Sequence, residues 1–123
     1  MSATPLAVVL VVEDDVFVRS CTGEALRETG FGVMEACDAQ EAMELLKLHP
    51  EVDILFSDIN MPGTMDGLGL ARWVHEANPK VLMILTSGRG SPAEKLPGDT
   101  RFVQKPYSTG AVAQLMTEMI GRR

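Results

Sequence analysis

Five short apolar runs punctuate the chain, at Leu6–Val12, Phe31–Ala36, Val52–Ser57, Val81–Thr86 and Arg101–Gln104. Leu6–Val12 is continuous rather than alternating, the pattern of a strand buried on both faces of a parallel sheet. Between the runs the apolar spacing changes to a helical period. Val16–Thr29 places Val18, Cys21, Ala25 and Leu26 on one helical face, and Gly30 follows as a residue that tolerates a left-handed stop. Asp38 and Glu41 form a capping-box pair ahead of Ala42, Leu45, Leu46 and Leu48, and Pro50 forbids continuation. A third helix is predicted from Gly67 to Ala77, with Leu70, Trp73 and Val74 inward and Pro79 closing it. Ser91–Pro92–Ala93–Glu94 reads as the start of a fourth, stunted by Pro97 and Gly98. The last helix, Ser108 to Ile120, carries Val112, Leu115, Met116, Met119 and Ile120 as an amphipathic stripe.

Strands alternating with helices through short connections require a parallel sheet with right-handed crossovers and helices on both faces, a doubly wound α/β fold. The 123 residues suffice for one domain, and 46% apolar with 23% charged residues is a globular composition. Eleven Lys and Arg against 17 Asp and Glu leave a formal charge of −6, which argues against direct nucleic-acid binding. Leu6–Val12 is too short to cross a bilayer and no leader pattern precedes it, so the expectation is a cytoplasmic protein without a membrane partner. Cys21 and Cys37 are expected to be buried thiols in a reducing compartment. His49 and His75 read as surface residues rather than phosphodonors.

In a doubly wound sheet the ligand site lies beyond the carboxyl ends of the strands. Glu13–Asp14–Asp15 follow the first run, Asp58 the third, Thr86–Ser87–Gly88 the fourth and Lys105–Pro106 the fifth. Asp15 alone reads as a helix cap. Together the others gather carboxylates, a hydroxyl and an ammonium at one crevice, although Asp14 and Asp58 are 44 positions apart. Clustered carboxylates repel, and an oxygen-only set of few ligands suits Mg²⁺. Phosphoryl chemistry follows, because a carboxylate accepts a phosphoryl group when neighbours neutralise and hold its oxygens. Lys105 and Ser87 are the candidates for that holding.

These residues resemble the receiver domain of bacterial two-component response regulators over nearly the whole chain. The carriers are Val11–Val12–Glu13–Asp14–Asp15, then Asp58–Ile59–Asn60–Met61–Pro62–Gly63 with Asp66–Gly67, then Thr86–Ser87–Gly88, and lastly Phe102–Val103–Gln104–Lys105–Pro106. The resemblance implies a flavodoxin-like five-stranded sheet of order 2-1-3-4-5, with residues 1–123 as a single receiver and no output domain. It implies Asp58 as phosphoacceptor and a Mg²⁺ site made by Glu13, Asp14, Asp58 and the backbone carbonyl of Asn60. Ser87 would contact the phosphoryl group, Lys105 would pair with it, and the Lys105–Pro106 bond would be cis. The phosphodonor would be a histidine kinase or histidine phosphotransfer protein. A switch made of Ser87 and Phe102 would convey phosphorylation to a downstream protein partner. The domain would not be an enzyme on other substrates, but would assist its own phosphotransfer and dephosphorylation. Thr86, adjacent to Ser87, is an alternative for the switch hydroxyl.

Two departures stand out. One extra residue, assigned to Thr64, lies between Met61–Pro62–Gly63 and Asp66–Gly67, and only 18 positions separate Ser87 from Lys105, too few for a full fourth helix. The output face that the family builds on that helix is therefore in doubt, and Arg89 is placed to reach over the acyl phosphate. A phosphatase of the haloacid-dehalogenase type wants a second acid two residues after its nucleophile, where Asn60 stands. A flavin carrier would need a donor-rich loop where Glu13–Asp14–Asp15 repel phosphate. The readings that remain beside a stand-alone phosphoacceptor are a binding module acting without phosphorylation and the receiver portion of a hybrid histidine kinase.

Overall fold

The computed structural model describes residues 4–123, so the first three residues of the expected 1–123 unit lie outside the described residues. Strands β1 (Val8–Val12), β2 (Gly32–Ala36), β3 (Ile54–Asp58), β4 (Leu82–Ser87) and β5 (Arg101–Gln104) form one parallel sheet in the order β2-β1-β3-β4-β5. The doubly wound fold and its strand order are as expected. Helices α1 (Val16–Thr29) and α4 (Thr109–Gly121) cover one face of the sheet, and α2 (Ala39–Leu48) and α3 (Gly67–Ala77) cover the other. Among the described residues no helix is long and apolar enough to cross a membrane.

Alternate residues of each central strand feed opposite layers, which is why the runs are uniformly apolar. Val9, Val11, Ile54, Phe56 and Ile84 pack with Leu26, Val112 and Met116 beneath α1 and α4. Leu10, Val12, Leu55, Met83 and Leu85 pack with Ala42, Leu70, Ala71 and Val74 beneath α2 and α3. Each helix starts on a side-chain cap. The side chains of Asp15, Asp38, Asp66 and Ser108 accept hydrogen bonds from first-turn N–H groups, and Gly30 at φ 110° ends α1.

Three expectations are corrected. Ser91–Glu94 forms no helix, and residues 88–100 cross from β4 to β5 as an irregular segment. Ser91 to Leu96 leaves little more than one turn ahead of Pro97, too few residues to recover the entropy of nucleating a helix. Tertiary contacts hold the segment instead: Glu94 pairs with Arg72 of α3, Leu96 packs on the core, and Gly98 lies against the His75 ring. The second correction concerns the cysteines, both of which are exposed. The buried face of α1 runs through Thr22, Gly23 and Leu26, one residue round from the Cys21 position expected. Third, the first run enters the sheet only at Val8, and Leu6 stays exposed.

The sheet meets α3 at an unusually close approach. A Cβ on Gly67 would stand 2.0 Å from the Asp58 carbonyl oxygen, and the Gly67 N–H donates to the Ile59 carbonyl at 2.9 Å. Gly67→Ala is therefore expected to lower stability by about 1–3 kcal/mol in urea denaturation through backbone overpacking. Gly88→Ala, whose Cβ would meet nothing within 4 Å, is the control and should stay within about 0.5 kcal/mol of the native protein.

Candidate functional site

Parallel strands deliver their carboxyl ends to one edge of the sheet, and that edge collects the charged residues. Asp58 is the last residue of the central strand β3, Glu13 and Asp14 follow its neighbour β1, Ser87 ends β4, and Lys105 follows β5. Glu13 and Asp58 are buried, at 5% and 7% exposure, while Asp14 is exposed. The Lys105 Nζ donates to Glu13 Oε1 and to Asp58 Oδ2, each at 2.9 Å. The second oxygens are also engaged: Asp15 N–H donates to Glu13 Oε2 and Asn60 N–H to Asp58 Oδ1, both at 3.1 Å. Lys105 is itself anchored, its N–H donating to the Ser87 carbonyl at 3.0 Å, and the Lys105–Pro106 bond is cis.

Burial pushes the Glu13 carboxyl above its ordinary value, and the Asp58 charge adds to the rise, while the Lys105 and Asp15 bonds oppose it. Burial works against the Lys105 ammonium, but its bonds to Glu13 and Asp58 outweigh that and hold it well above the ordinary lysine value. The site is thus one positive charge balancing two buried acids, with Asp14 as the third carboxylate. Oxygens of Glu13, Asp14 and Asp58 lie within 4.8 Å of one another. An all-oxygen set this compact fits a small hard dication, and among the described residues no hydrogen bond engages the Asp14 carboxylate.

Of the two candidate hydroxyls, Ser87 belongs to this cluster. Its Oγ accepts from Asn60 Nδ2 at 2.9 Å and from Arg89 N–H at 3.0 Å. The Thr86 hydroxyl is buried without a partner, on the same side of β4 as Ile84. Phe102 stands apart from the charged groups: it is half-buried, in register with Leu85, and packs on the α2/α3 side of the core. Asp15 is the α1 cap, and Thr64 is an exposed residue of the loop before α3. His75 is exposed on α3, and His49 pairs with Glu51.

Sequence reasoning missed Tyr107. Its hydroxyl bonds Thr22 Oγ1 at 2.8 Å, and its ring meets Phe56 edge-on at 5.3 Å, closing the gap between β5 and α1. The signal was its place two residues beyond Lys105, beside the proline turn. Beyond it an apolar hollow lined by Phe17, Val18, Cys21, Pro106 and Tyr107 opens beside Lys105, with Phe17 79% exposed.

A family model described as the response regulator receiver domain matches residues 9–117. The chain belongs to the receiver family. Over 122 residues this receiver is 38% identical to the sensor kinase CckA of Brucella abortus (strain 2308), covering 95% of this chain and 13% of that protein. It is 32% identical over 104 residues to the aerobic respiration control protein ArcA of Escherichia coli (strain K12), covering 81% and 42%. The chain thus spans well under two thirds of these relatives. The crystal structure of the receiver domain from the hybrid histidine kinase CckA matches with a TM-score of 0.82 at 28% identity, covering 93% of this chain and 99% of that one. A CheY-like receiver domain protein from Methanospirillum hungatei JF-1 shares the fold with a TM-score of 0.81 at 24% identity, over 94% of both chains.

The charge balance makes a signed prediction. Lys105→Met leaves two buried acids without their ammonium, so the Glu13 carboxyl rises further above its ordinary value. An acid raised in the folded state supplies stability that is full below its unfolded value and is lost as pH climbs through the folded one. The stability deficit of Lys105→Met relative to the native receiver is therefore expected to be larger at about pH 8 than at about pH 5 in urea denaturation. Equal deficits would contradict the charge balance.

Proposed function

We propose that this receiver is a phosphoacceptor of a two-component phosphorelay, with Asp58 taking a phosphoryl group from a histidine kinase or histidine phosphotransfer protein. The observation that carries the reading is the Asp58 carboxylate held 2.9 Å from the Lys105 ammonium beside the Glu13 and Asp14 acids. An Asp58 oxygen attacks the donor's phosphorus, an O–P bond forms as the P–N bond breaks, and the imidazole nitrogen keeps the electron pair. Lys105, already on Asp58 Oδ2, neutralises and orients the incoming oxygens. The carboxylates of Glu13, Asp14 and Asp58 and the Asn60 backbone carbonyl would hold Mg²⁺, which when bound offsets the charge of the phosphoryl group.

Ser87 is the switch hydroxyl in this reading: it leaves Asn60 and Arg89 for the phosphoryl group, and Phe102 moves behind it. The resulting change of surface alters contacts with a downstream protein partner. We seat the donor against the rim made by Phe17, Pro106 and Gly88, because exposed apolar surface there adjoins Lys105 directly. The domain acts in the cytoplasm and assists its own phosphorylation and dephosphorylation. A second reading, favoured by the 38% identity to the sensor kinase CckA, makes it the receiver of a hybrid histidine kinase with the same Asp58 chemistry.

Incubation with acetyl phosphate and Mg²⁺, followed by intact mass measurement, tests the chemistry. The expected result is a labile gain of about 80 Da, one phosphoryl unit, that disappears in Asp58→Asn and without Mg²⁺. A folded, metal-binding protein that gains no mass from acetyl phosphate or from histidine-phosphorylated donors would instead favour a binding module that works without phosphate.

A further inference from the structure

A second charged cluster, on α1 and β2, reaches the acid pair through the backbone. Arg19 Nη1 donates to the Glu13 carbonyl oxygen at 2.8 Å. Its Nε faces Glu35 Oε1 at 3.5 Å, and Arg27 Nη2 donates to Glu35 Oε2 at 3.1 Å. The Arg19 and Glu35 side chains are 18% and 25% exposed, well covered for charged groups. Glu35 is the one charged residue of β2, in register with Val11. The helix makes room for it: a Cβ on Gly23 would stand 3.0 Å from Glu35 Oε2 and 3.4 Å from Arg27 Nη1. Glycine is among the least favourable residues inside a helix, yet here it keeps the Arg19–Gly23–Arg27 face open around the carboxylate.

The carbonyl that Arg19 holds belongs to the peptide unit joining Glu13 to Asp14. That unit is planar, so fixing its oxygen fixes the direction in which the Asp14 Cα leaves the strand. The Glu13 N–H is pinned as well, donating to the Ala36 carbonyl at 3.0 Å. Asp14, by contrast, is exposed, and among the described residues its carboxylate has no hydrogen bond to place it. Its approach to Glu13 and Asp58 thus depends on the backbone behind it. We propose that Arg19 is a positioning residue for the cation site: oriented by Glu35, its guanidinium holds the Glu13–Asp14 peptide so that the Asp14 carboxylate faces those of Glu13 and Asp58.

This inference rests on the Mg²⁺ reading above, and it opposes what charge alone predicts. A guanidinium near a dication repels it, so removing that charge should tighten Mg²⁺ binding if position is irrelevant. Outer-shell partners that orient ligands typically change metal affinity about 10- to 100-fold when removed. Calorimetric titration with Mg²⁺ of the native protein, Asp14→Asn, Arg19→Met and Arg19→Lys, with thermal melts in metal-free buffer, separates the cases. The expected result is about 10-fold weaker binding in Arg19→Met. Arg19→Lys, which keeps the charge but loses the two-armed geometry, should also bind more weakly than native. Should Arg19→Met fail to fold, Arg19→Lys carries the test alone. A folded Arg19→Met binding as tightly as native or tighter, or Arg19→Lys binding like native, overturns the proposal. Native protein and Asp14→Asn binding alike would overturn the cation reading itself, and this inference with it.

Discussion

The arrangement turns on one ammonium. Lys105 Nζ bridges Glu13 and Asp58 at 2.9 Å each, and without it two buried carboxylates would face one another in a poorly solvated crevice. Leaving a buried charge unpaired is far more damaging than never burying it, so the charge balance of the site rests on this bridge. Ionised acids are what the proposed chemistry needs, both to attack phosphorus and to hold a dication. The same bridge joins the carboxyl ends of β1, β3 and the turn after β5.

The topology explains why that bridge is made by a lysine. In the order β2-β1-β3-β4-β5, β1 lies directly beside β3, but β5 is separated from β3 by β4. Two strand spacings of about 4.8 Å must be crossed to reach Asp58. A long, flexible side chain anchored at its N–H by the Ser87 carbonyl does this over the end of β4. The short Ser87 side chain and the absence of any atom near a Gly88 Cβ leave the way open. Gly67 answers a similar constraint on the opposite side, letting α3 begin against the Asp58 carbonyl.

Much of this was legible in the sequence because the signals are local. Continuous apolar runs, a capping residue before each helix and polar residues at the ends of runs are each set by neighbours a few positions away. Glu13, Asp14, Asp58, Ser87 and Lys105 come together where the strand-end argument placed them, and Asn60, which only the family resemblance supplied, stands beside them. What escaped depends on partners remote in the chain. Ser91–Glu94 carries a genuine helix-start pattern, but Pro97 shortens it, and contacts with Arg72 and His75 on α3 decide its path. The buried face of α1 includes Thr22, whose partner Tyr107 lies 85 positions away. The Gly23 clearance and the Arg19 bond to Glu13 likewise have meaning only once β2 is laid beside β1.

The irregular 88–100 segment also bears on how a signal would leave the site. Ser87 Oγ accepts from Asn60, on the loop after β3, and from Arg89, at the start of that segment. A hydroxyl that turns to a phosphoryl group on Asp58 moves the one oxygen both donors share, so the two loops are coupled through it. In place of a helix, the segment is held to α3 by the exposed Arg72–Glu94 pair, the Leu96 contact and the approach of Gly98 to His75. An exposed ion pair contributes little, typically below about 1 kcal/mol. The strap is therefore lightly fastened at the end nearest Ser87 and more firmly at Leu96. On the proposed reading, movement begun at Arg89 would meet the exposed residues before Leu96 ahead of any that pack on the core.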